Sequence, residues 1–499
     1  MFFNFINMAS MDNLERLTDY SVDMDAENIM DVRTEKLDPI VSGAYRHTFR
    51  LDTSAYLDKN TMLLFKVRAK DLATSNDNCR LNCFNGALSC IQSIEMQIGD
   101  FQVQKIDNVN QWATLNHLYS LPPAVQNKKL PAYIQNCLKY DVIKTQGTSV
   151  ADNVGCIAPN NTTSGINYGN SSDRTGSAIN NFKVTNDADG NQLIGIPLGM
   201  LLPILNTRDL PLFLFTAYKV HITIDFNPNS SELANKIGAP SANLACADGD
   251  ILFSDVELLV DYLIFPSRVQ ESVREQTQSA GGYVMDYINV ENIQKVIPSA
   301  TANVEQSTEM RINVVNQEVH YVQMLKQKQT YDDNNNKITL GQRCDSVSIE
   351  EYQFNVNGHD IYNFGFIFNP VEQYNHLNYV LGRDLQVISP YYVADTNIEA
   401  SLLSLPAQGI LGKYKPFGLD LRNGEPVIQG GGRPIGNYPI RMIYKRKGHA
   451  AINSEIENTP EMGQEDISGL NVNFFVGATR IVNVKSLPSG GMSVVVSDM

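Results

Sequence analysis

Hydrophobic and polar residues alternate without a break between positions 218 and 226 of the sequence. The hydrophobic set is Tyr218, Val220, Ile222, Ile224 and Phe226, and the polar set is Lys219, His221, Thr223 and Asp225. Successive side chains of a β-strand point to opposite sides. A period of two therefore predicts a strand with one buried face and one polar face.

Similar stretches recur along most of the chain from Gly43 onward. In the first half they are "YRHTFRL", "MLLFKVR", "SIEMQIGDFQVQKI" and "LFSDVELLVDYLIFP". In the second half they are "YVMDYINV", "EMRINVVNQEVHYVQML", "VSIEEYQFNVNGHDIYNF", "YPIRMIYKRK", "LNVNFFVGATRIVNVK" and "MSVVVS". Gly99-Asp100 is a hairpin signal. The stretch "NVNQWATLNHLYSL" is typical of a short helix, because Val109, Trp112 and Leu115 recur every three residues. The pattern predicts an all-β protein with short helices.

Two segments lack this pattern. Residues 11–40 contain nine acidic and three basic residues, and no turn signal occurs before Pro39. We predict that residues 1–40 form an N-terminal arm, extended or weakly helical and ordered only when docked; an ordinary disordered tail is an equal alternative. Residues 145–191 are dominated by Gly, Asn, Ser and Thr, which predicts a long exposed loop at one end of the strands.

The two halves of the chain are related by a constant spacing. Gly358 follows Gly99 by 259 positions, and at the same spacing the stretch 61–68 meets 320–327. The other matches are Asn110 with Asn369, Asn116 with Asn375, His117 with His376 and Leu118 with Leu377. This predicts an internal repeat of about half the chain, with domains at 41–266 and, including a polar linker, 267–499. Two halves that share only the pattern of a β-sandwich remain the alternative.

Composition limits the classes of partner. Among the 499 residues 43% are hydrophobic but only 19% are charged, and the net charge is −15. A mostly uncharged polar surface suits a chain that packs against many neighbours, whereas the negative charge opposes nucleic-acid binding. The densest basic stretch, Tyr444–His449, is interpreted as a solvated strand tip. We therefore expect no direct contact with nucleic acid.

The seven cysteines are odd in number and irregularly spaced, so neither a disulfide framework nor a zinc site is indicated. Buried, reduced thiols are expected, as in a protein that folds inside a cell. No apolar run approaches the roughly 18 residues of a membrane span, and the opening "MFFNFINMAS" is a poor signal peptide.

Motifs for catalysis or cofactor binding are not found. None of the seven histidines has the spacing of a helical metal pair. His117 and His376 are interpreted as packing or capping residues, and His221 as a surface residue. The stretch "TNDADGNQLIGI" fails as a calcium loop at Thr185 and Ile196, and "QGGGRP" lacks the Lys-Ser/Thr of a phosphate-binding loop. We predict no catalytic, cofactor-binding or metal residue, and no enzyme activity.

Three stretches carry a family resemblance: "GAYRHTFRLDTSAYLDKNTMLLFKV", "NGALSCIQSIEMQIGDFQVQKIDNVNQWATL" and "IPLGMLLPILNTRDLPLFLFTAYKVHITIDF". The chain resembles the double jelly-roll major capsid proteins of icosahedral double-stranded DNA viruses, in particular those of Polinton-like viruses and virophages. The resemblance covers residues 40–499. It implies two tandem antiparallel eight-stranded jelly-roll sandwiches with short helices and long apical loops, of which 145–191 is the candidate.

The resemblance also implies the function. Such a protein is a structural capsid protein that forms pseudo-hexameric homotrimers and then an icosahedral shell. Its partners are expected to be itself, penton proteins and minor capsid proteins, while an internal membrane stays undetermined. The chain is expected in the virion, after synthesis in the host cytoplasm or nucleus. A two-domain β-sandwich carbohydrate-binding protein or glycosidase is the alternative, because acids are abundant, although one tryptophan is a poor supply for a sugar cleft.

Overall fold

The structure of the polypeptide is a computed structural model. It describes residues 31–58, 60–69, 79–81, 86–118, 191–207, 210–236, 249–279, 282–301, 304–315, 317–329, 351–361, 417–421, 432–448, 464–465, 469–486 and 492–498. Most of the loop predicted at 145–191, the acidic residues before Asp31 and the helix predicted around His376 lie outside these ranges.

The first half of the chain forms two main antiparallel sheets. Its strands are β1 (Asp31–Leu37), β2 (Val41–Ser42), β3 (Arg46–Leu51), β4 (Tyr56–Leu57), β5 (Met62–Ala69), β6 (Cys79–Leu81), β7 (Ile91–Ile98), β8 (Phe101–Asp107), β9 (Asn191–Pro197), β10 (Val220–Phe226), β11 (Ala234–Lys236) and β12 (Ile251–Ile264). One sheet has the order β1-β12-β5-β9 with β4 beside β12, and the other has the order β2-β3-β10-β7-β8. Strands β6 and β11 form a separate pair.

The second half also forms two sheets. Its strands are β13 (Tyr283–Ile297), β14 (Glu305–Ile312), β15 (Glu318–Lys328), β16 (Glu351–Val356), β17 (His359–Asp360), β18 (Phe417–Asp420), β19 (Arg433–Pro434), β20 (Ile440–Gly448), β21 (Gln464–Glu465), β22 (Leu470–Ser486) and β23 (Met492–Asp498). One sheet has the order β13-β22-β15-β18, with β19 beside β15 and β23 beside β22. The other has the order β14-β20-β16-β17, with β21 parallel to β20.

Helices are few and short in the described part of the chain. The α-helices are α1 (Val109–Leu118), α2 (Ile204–Thr207), α3 (Ser230–Leu233) and α4 (Ser267–Ser279), and 3₁₀ turns cover Gly86–Cys90, Leu198–Met200 and Leu212–Phe215. Helix α1 confirms the helix predicted around Trp112. Helix α4 replaces the irregular polar link expected between the halves. Its residues Val269, Val273 and Thr277 recur every four positions, and Val273 and Thr277 are buried.

Strand order confirms the internal repeat. In each half, four principal strands of one described sheet face four of the other: β1-β12-β5-β9 with β3-β10-β7-β8, and β13-β22-β15-β18 with β14-β20-β16-β17. Strand β14 starts at Glu305, which lies 259 positions after the start of β3 at Arg46. Both hairpin glycines have positive φ, 61° at Gly99 and 83° at Gly358. The predicted spacing therefore reflects two copies of one architecture.

The opening stretch forms a strand as predicted, although β10 begins at Val220 and Tyr218 lies in the turn before it. The four hydrophobic side chains of the strand are at most 1% exposed. On the polar face Thr223 is also buried, because the neighbouring strands crowd it, and its hydroxyl lies 3.1 Å from that of Thr48. The hydroxyl pair satisfies a polar group that burial would otherwise leave unpaired.

The N-terminal arm is shorter than predicted among the described residues. Residues Asp31–Leu37 pair with β12 along their whole length and so form an edge strand of the first sandwich. Arg33 reinforces this docking through an ion pair with Asp52 at 2.7 Å, and Lys36 lies 3.1 Å from Glu257. Residues 31–37 are therefore extended and docked, while residues 1–30 of the predicted arm lie outside the described residues.

Candidate functional site

The sheet of β13, β22, β15 and β18 is packed between the hydrophobic cores of the two halves. Strand β22 directs Val472, Phe474 and Val476 into the core of the second sandwich. Phe475, on the opposite face, is completely buried in the core of the first sandwich, together with Leu325 of β15. A sheet covered on both faces cannot be exposed to water without losing one of its apolar contacts.

The far end of the same sheet extends the first core further. Tyr283 and Met285 of β13 and Val482 and Val484 of β22 belong to the hydrophobic cluster of the first half, as does Val494 of β23. Strand β23 also contacts β8 and the 3₁₀ turn Leu212–Phe215 of the first half. The first sandwich is therefore completed by side chains from the second half of the chain.

Polar contacts fix the alignment of the two halves. The buried Asn473 amide donates to the Gln111 side-chain oxygen at 2.8 Å. Around it, side-chain amides link β8 and α1 to the second half: Gln104 with the Ile288 carbonyl at 3.3 Å, Asn292 with the Asp107 carbonyl at 3.2 Å, and Asn116 with Gln323 at 3.2 and 3.3 Å. Because hydrogen bonds are directional, these bonds within an apolar interface fix the position of one sandwich relative to the other.

A charged cluster lies at the edge of this interface. The Arg480 guanidinium contacts Asp498 at 2.7 Å, Glu291 at 3.4 Å and the Val103 carbonyl at 3.3 Å. The Tyr287 hydroxyl donates to the same Val103 carbonyl. Arg480 thereby ties strands β23 and β13 of the second half to the first sandwich.

Burial and charge act against each other in this cluster. Burial raises the pKa of Glu291, and the neighbouring Arg480 partly offsets that shift. Burial would lower the pKa of Arg480, but the hydrogen bond and charge of Asp498 leave it raised. The cluster therefore places the Arg480 cation between the carboxylates of Asp498 and Glu291.

The described residues among those singled out in the sequence lie in separate places of the fold. His221 is half-exposed on the polar face of β10, and its pKa is lowered by partial burial and by Arg50 and Lys219. His376 lies outside the described residues. Cys90 is a free, fully buried thiol, and burial raises its pKa to about 12. This confirms for Cys90 the reduced, buried state expected from the sequence.

The basic stretch at the end of β20 is not the solvated tip that was expected. Tyr444 and Arg446 are buried, and Arg446 donates to the Pro298 carbonyl. Between them Lys445 lies 4.0 Å from Glu351 on the neighbouring strand. Alternation along β20 directs Tyr444 and Arg446 into the sandwich, so these two described residues of the stretch are not part of an exposed strand tip.

Within the described ranges, no group of three or more His, Cys, Asp or Glu side chains is arranged to hold a metal ion. No helix of the described chain has both the length and the apolar character needed to cross a membrane.

Comparison with known proteins gives a result at the level of structure only. No protein-family model matches the sequence, and no curated protein sequence matches it either. Solved structures match along nearly the whole chain. The structure of the virophage Sputnik has a TM-score of 0.55 at 10% identity, covering 94% of this chain and 88% of that chain.

Two further matches involve the virus PBCV-1. Its VP54, fitted into a reconstruction of Sputnik, has a TM-score of 0.54 at 10% identity, covering 95% of this chain and 98% of that chain. The PBCV-1 capsid structure has a TM-score of 0.52 at 11% identity with the same coverage. The fold is a double jelly roll. The all-β prediction of two tandem jelly rolls is thus confirmed, while the low identities limit the likeness to the fold.

Sequence reasoning missed the shared core of the double jelly roll. Its signal is present in "FFVGA", residues 474–478, which is apolar on both faces instead of alternating. An unbroken apolar run is typical of a strand buried on both sides. A search for such runs would have identified β22 as a strand between the two cores, whereas in β15 the run "YVQML" is interrupted by Gln323.

Proposed function

We propose that this double jelly roll is a structural major capsid protein, which assembles as pseudo-hexameric homotrimers into an icosahedral viral shell. The observation that carries the proposal is the pair of sandwiches with identical strand order joined through one doubly covered sheet. The matched structures, which are capsids and capsid proteins of PBCV-1 and Sputnik, support the same conclusion.

Rigid coupling explains why this architecture suits a shell. Three chains with two sandwiches each would present six similar units around a threefold axis, and a hexagonal outline tiles a surface. Such tiling requires that the sandwiches keep a fixed angle. The shared core and the buried Asn473–Gln111 bond hold that angle within a single chain. The low share of charged residues, 19%, is consistent with extensive protein contacts.

The remaining parts of the proposal follow from this role. The chain divides into sandwiches at 41–266 and 267–499, the second beginning with helix α4. Its partners are copies of itself, penton proteins and minor capsid proteins, and its site is the virion. It acts without catalysis, a cofactor or direct contact with nucleic acid.

Measurement of molar mass tests the proposal directly. The purified full-length chain should elute as a stable species of three times 55.5 kDa in light-scattering chromatography. Electron micrographs of that species should show a hexagonal outline. A strictly monomeric chain at all accessible concentrations would contradict the proposal. A monomer that hydrolyses a polysaccharide would instead support the carbohydrate-active alternative.

A further inference from the structure

The connection between β1 and β3 is a short strap across one end of the first sandwich. It crosses from the sheet of β12 to the sheet of β10, and its two-residue strand β2 is an edge of the latter. Backbone bonds hold it: Ile40 N–H donates to the Thr48 carbonyl and Gly43 N–H to the Arg46 carbonyl, both at 2.8 Å. The side chains of Ile40 and Val41 are 57% and 58% exposed. These two side chains bury little apolar area, so the strap is held mainly by backbone bonds and by Tyr45 at its end. The Tyr45 carbonyl accepts from the Phe226 N–H at 2.7 Å, and the Tyr45 ring packs edge-on against Phe253.

A buried histidine lies next to this strap, on the neighbouring strand β3. His47 is 5% exposed and pairs with Ser42 of β2 in the ladder, and its Nδ1 lies 3.2 Å from the Ser42 hydroxyl. The other ring nitrogen, Nε2, is buried and has no hydrogen-bond partner within the described part of the chain. The imidazole meets the Phe226 ring edge-on, with 5.5 Å between the ring centres. A second proton on this ring would therefore be placed in apolar surroundings.

Charged groups near His47 do not compensate for such a proton. On β10 the relevant group is Asp225, which already contacts Arg46 of β3 at 3.6 Å and the Ser93 hydroxyl of β7 at 2.8 Å. From the facing sheet, the aromatic neighbours of Phe226 are Phe65 and Phe253, which carry no charge. Strand β2 contributes only the neutral Ser42. Burial lowers the pKa of His47, and Asp225 offsets this only in part.

We propose that the strap of residues 38–45 is an acid-operated latch, which His47 opens when it becomes protonated. The closed strap requires a neutral imidazole, whereas an open strap lets water solvate both ring nitrogens. Protons therefore bind more strongly to the open form, and acid favours opening. An exposed histidine has a pKa near 6.5, so at pH 5.5 the open form is about 90% charged and the opening constant rises up to about tenfold. The inference concerns the single chain and does not depend on the proposed capsid function.

Amide hydrogen exchange of the full-length chain at pH 7.5 and pH 5.5 tests this latch, after correction for the intrinsic pH dependence of exchange. The protection factors of the amides of residues 40–43 should fall by up to about tenfold at pH 5.5. Those of β10, at 220–226, should keep theirs. His47→Phe, which keeps a flat ring but cannot be protonated, should abolish the response. His221→Gln, on the polar face of β10, should leave it intact.

If His47→Phe does not fold, the comparison of residues 40–43 with β10 in the unaltered chain still tests the proposal. His47→Gln provides a second variant that cannot be protonated at this position. Unchanged protection of residues 40–43 between the two pH values would overturn the proposal. An equal loss in β10 would do the same, because it would indicate general acid unfolding. Persistence of the acid response in a folded His47 variant would assign it to another group.

Discussion

Replacement of Phe475 by alanine tests whether the two sandwiches form one cooperative unit. Phe475 belongs to the second half by sequence but is 0% exposed within the first core. Truncating a fully buried phenylalanine to alanine costs about 3–5 kcal/mol of folding free energy, from lost transfer energy and the cavity left behind. Since the cavity lies between the sandwiches, Phe475→Ala should also weaken their coupling.

Two optical probes can separate these effects. Trp112, the one tryptophan in the sequence, lies in α1 of the first half and is 6% exposed, so its fluorescence reports that half. Far-ultraviolet circular dichroism reports the strands of both halves. In urea the unaltered chain should show coincident transitions. Phe475→Ala should lower the midpoint and split the two curves, at a protein concentration held constant because association shifts apparent stability.

Matched variants complete the experiment. Phe474→Ala creates a similar cavity on the opposite face of β22, inside the second core, and should destabilise without exposing the interface. Val495→Ala changes a side chain that is 42% exposed and should have little effect. Separate transitions in the unaltered chain, or a Phe475→Ala variant as stable as Val495→Ala, would refute the shared-core reasoning.

Further predictions concern single contacts. Asn473→Ala removes the buried hydrogen bond to the Gln111 oxygen and should cost about 1–3 kcal/mol. A double-mutant cycle with Gln111→Ala should return a coupling energy, and strict additivity would argue against the bond. Gly99→Ala should destabilise the chain more than Gly358→Ala in thermal melts. Both glycines have positive φ, which costs about 1–2 kcal/mol for alanine, but only at Gly99 would the new Cβ lie 2.7 Å from the Tyr218 ring. Equal melting temperatures for the two variants would contradict this crowding by Tyr218.

Local patterns predicted the strands well where one face is buried. The alternation around Ile222 and the glycine of the β7–β8 hairpin are properties of a few neighbouring residues, so they can be recognised without knowledge of the fold. The internal repeat could be predicted from the sequence for the same reason, since Gly99 and Gly358 lie in the turns of equivalent hairpins 259 positions apart.

Features that depend on distant partners were not predicted. The polar segment 267–279 has only a narrow apolar stripe. It forms helix α4, in which Val273 is buried and Arg274 donates to the Phe213 carbonyl at 3.1 Å. Similarly, the acidic composition of residues 31–37 gave no indication of the partner strand β12. Alternation in "YRHTFRL" places His47 on the same face as Phe49 and Leu51, which are buried, but it does not reveal the contact between the ring and Ser42 of the strap.

Completion of the first sandwich by strands of the second has a consequence for synthesis on the ribosome. Val494 enters the core of the first half but lies 230 positions after Ile264, the end of β12. At about 5–20 residues per second, roughly 10–50 s pass before that side chain is made. During this interval the nascent N-terminal half exposes apolar surface that only later residues can cover. Chaperone capture of the growing chain is expected to be strongest in that window.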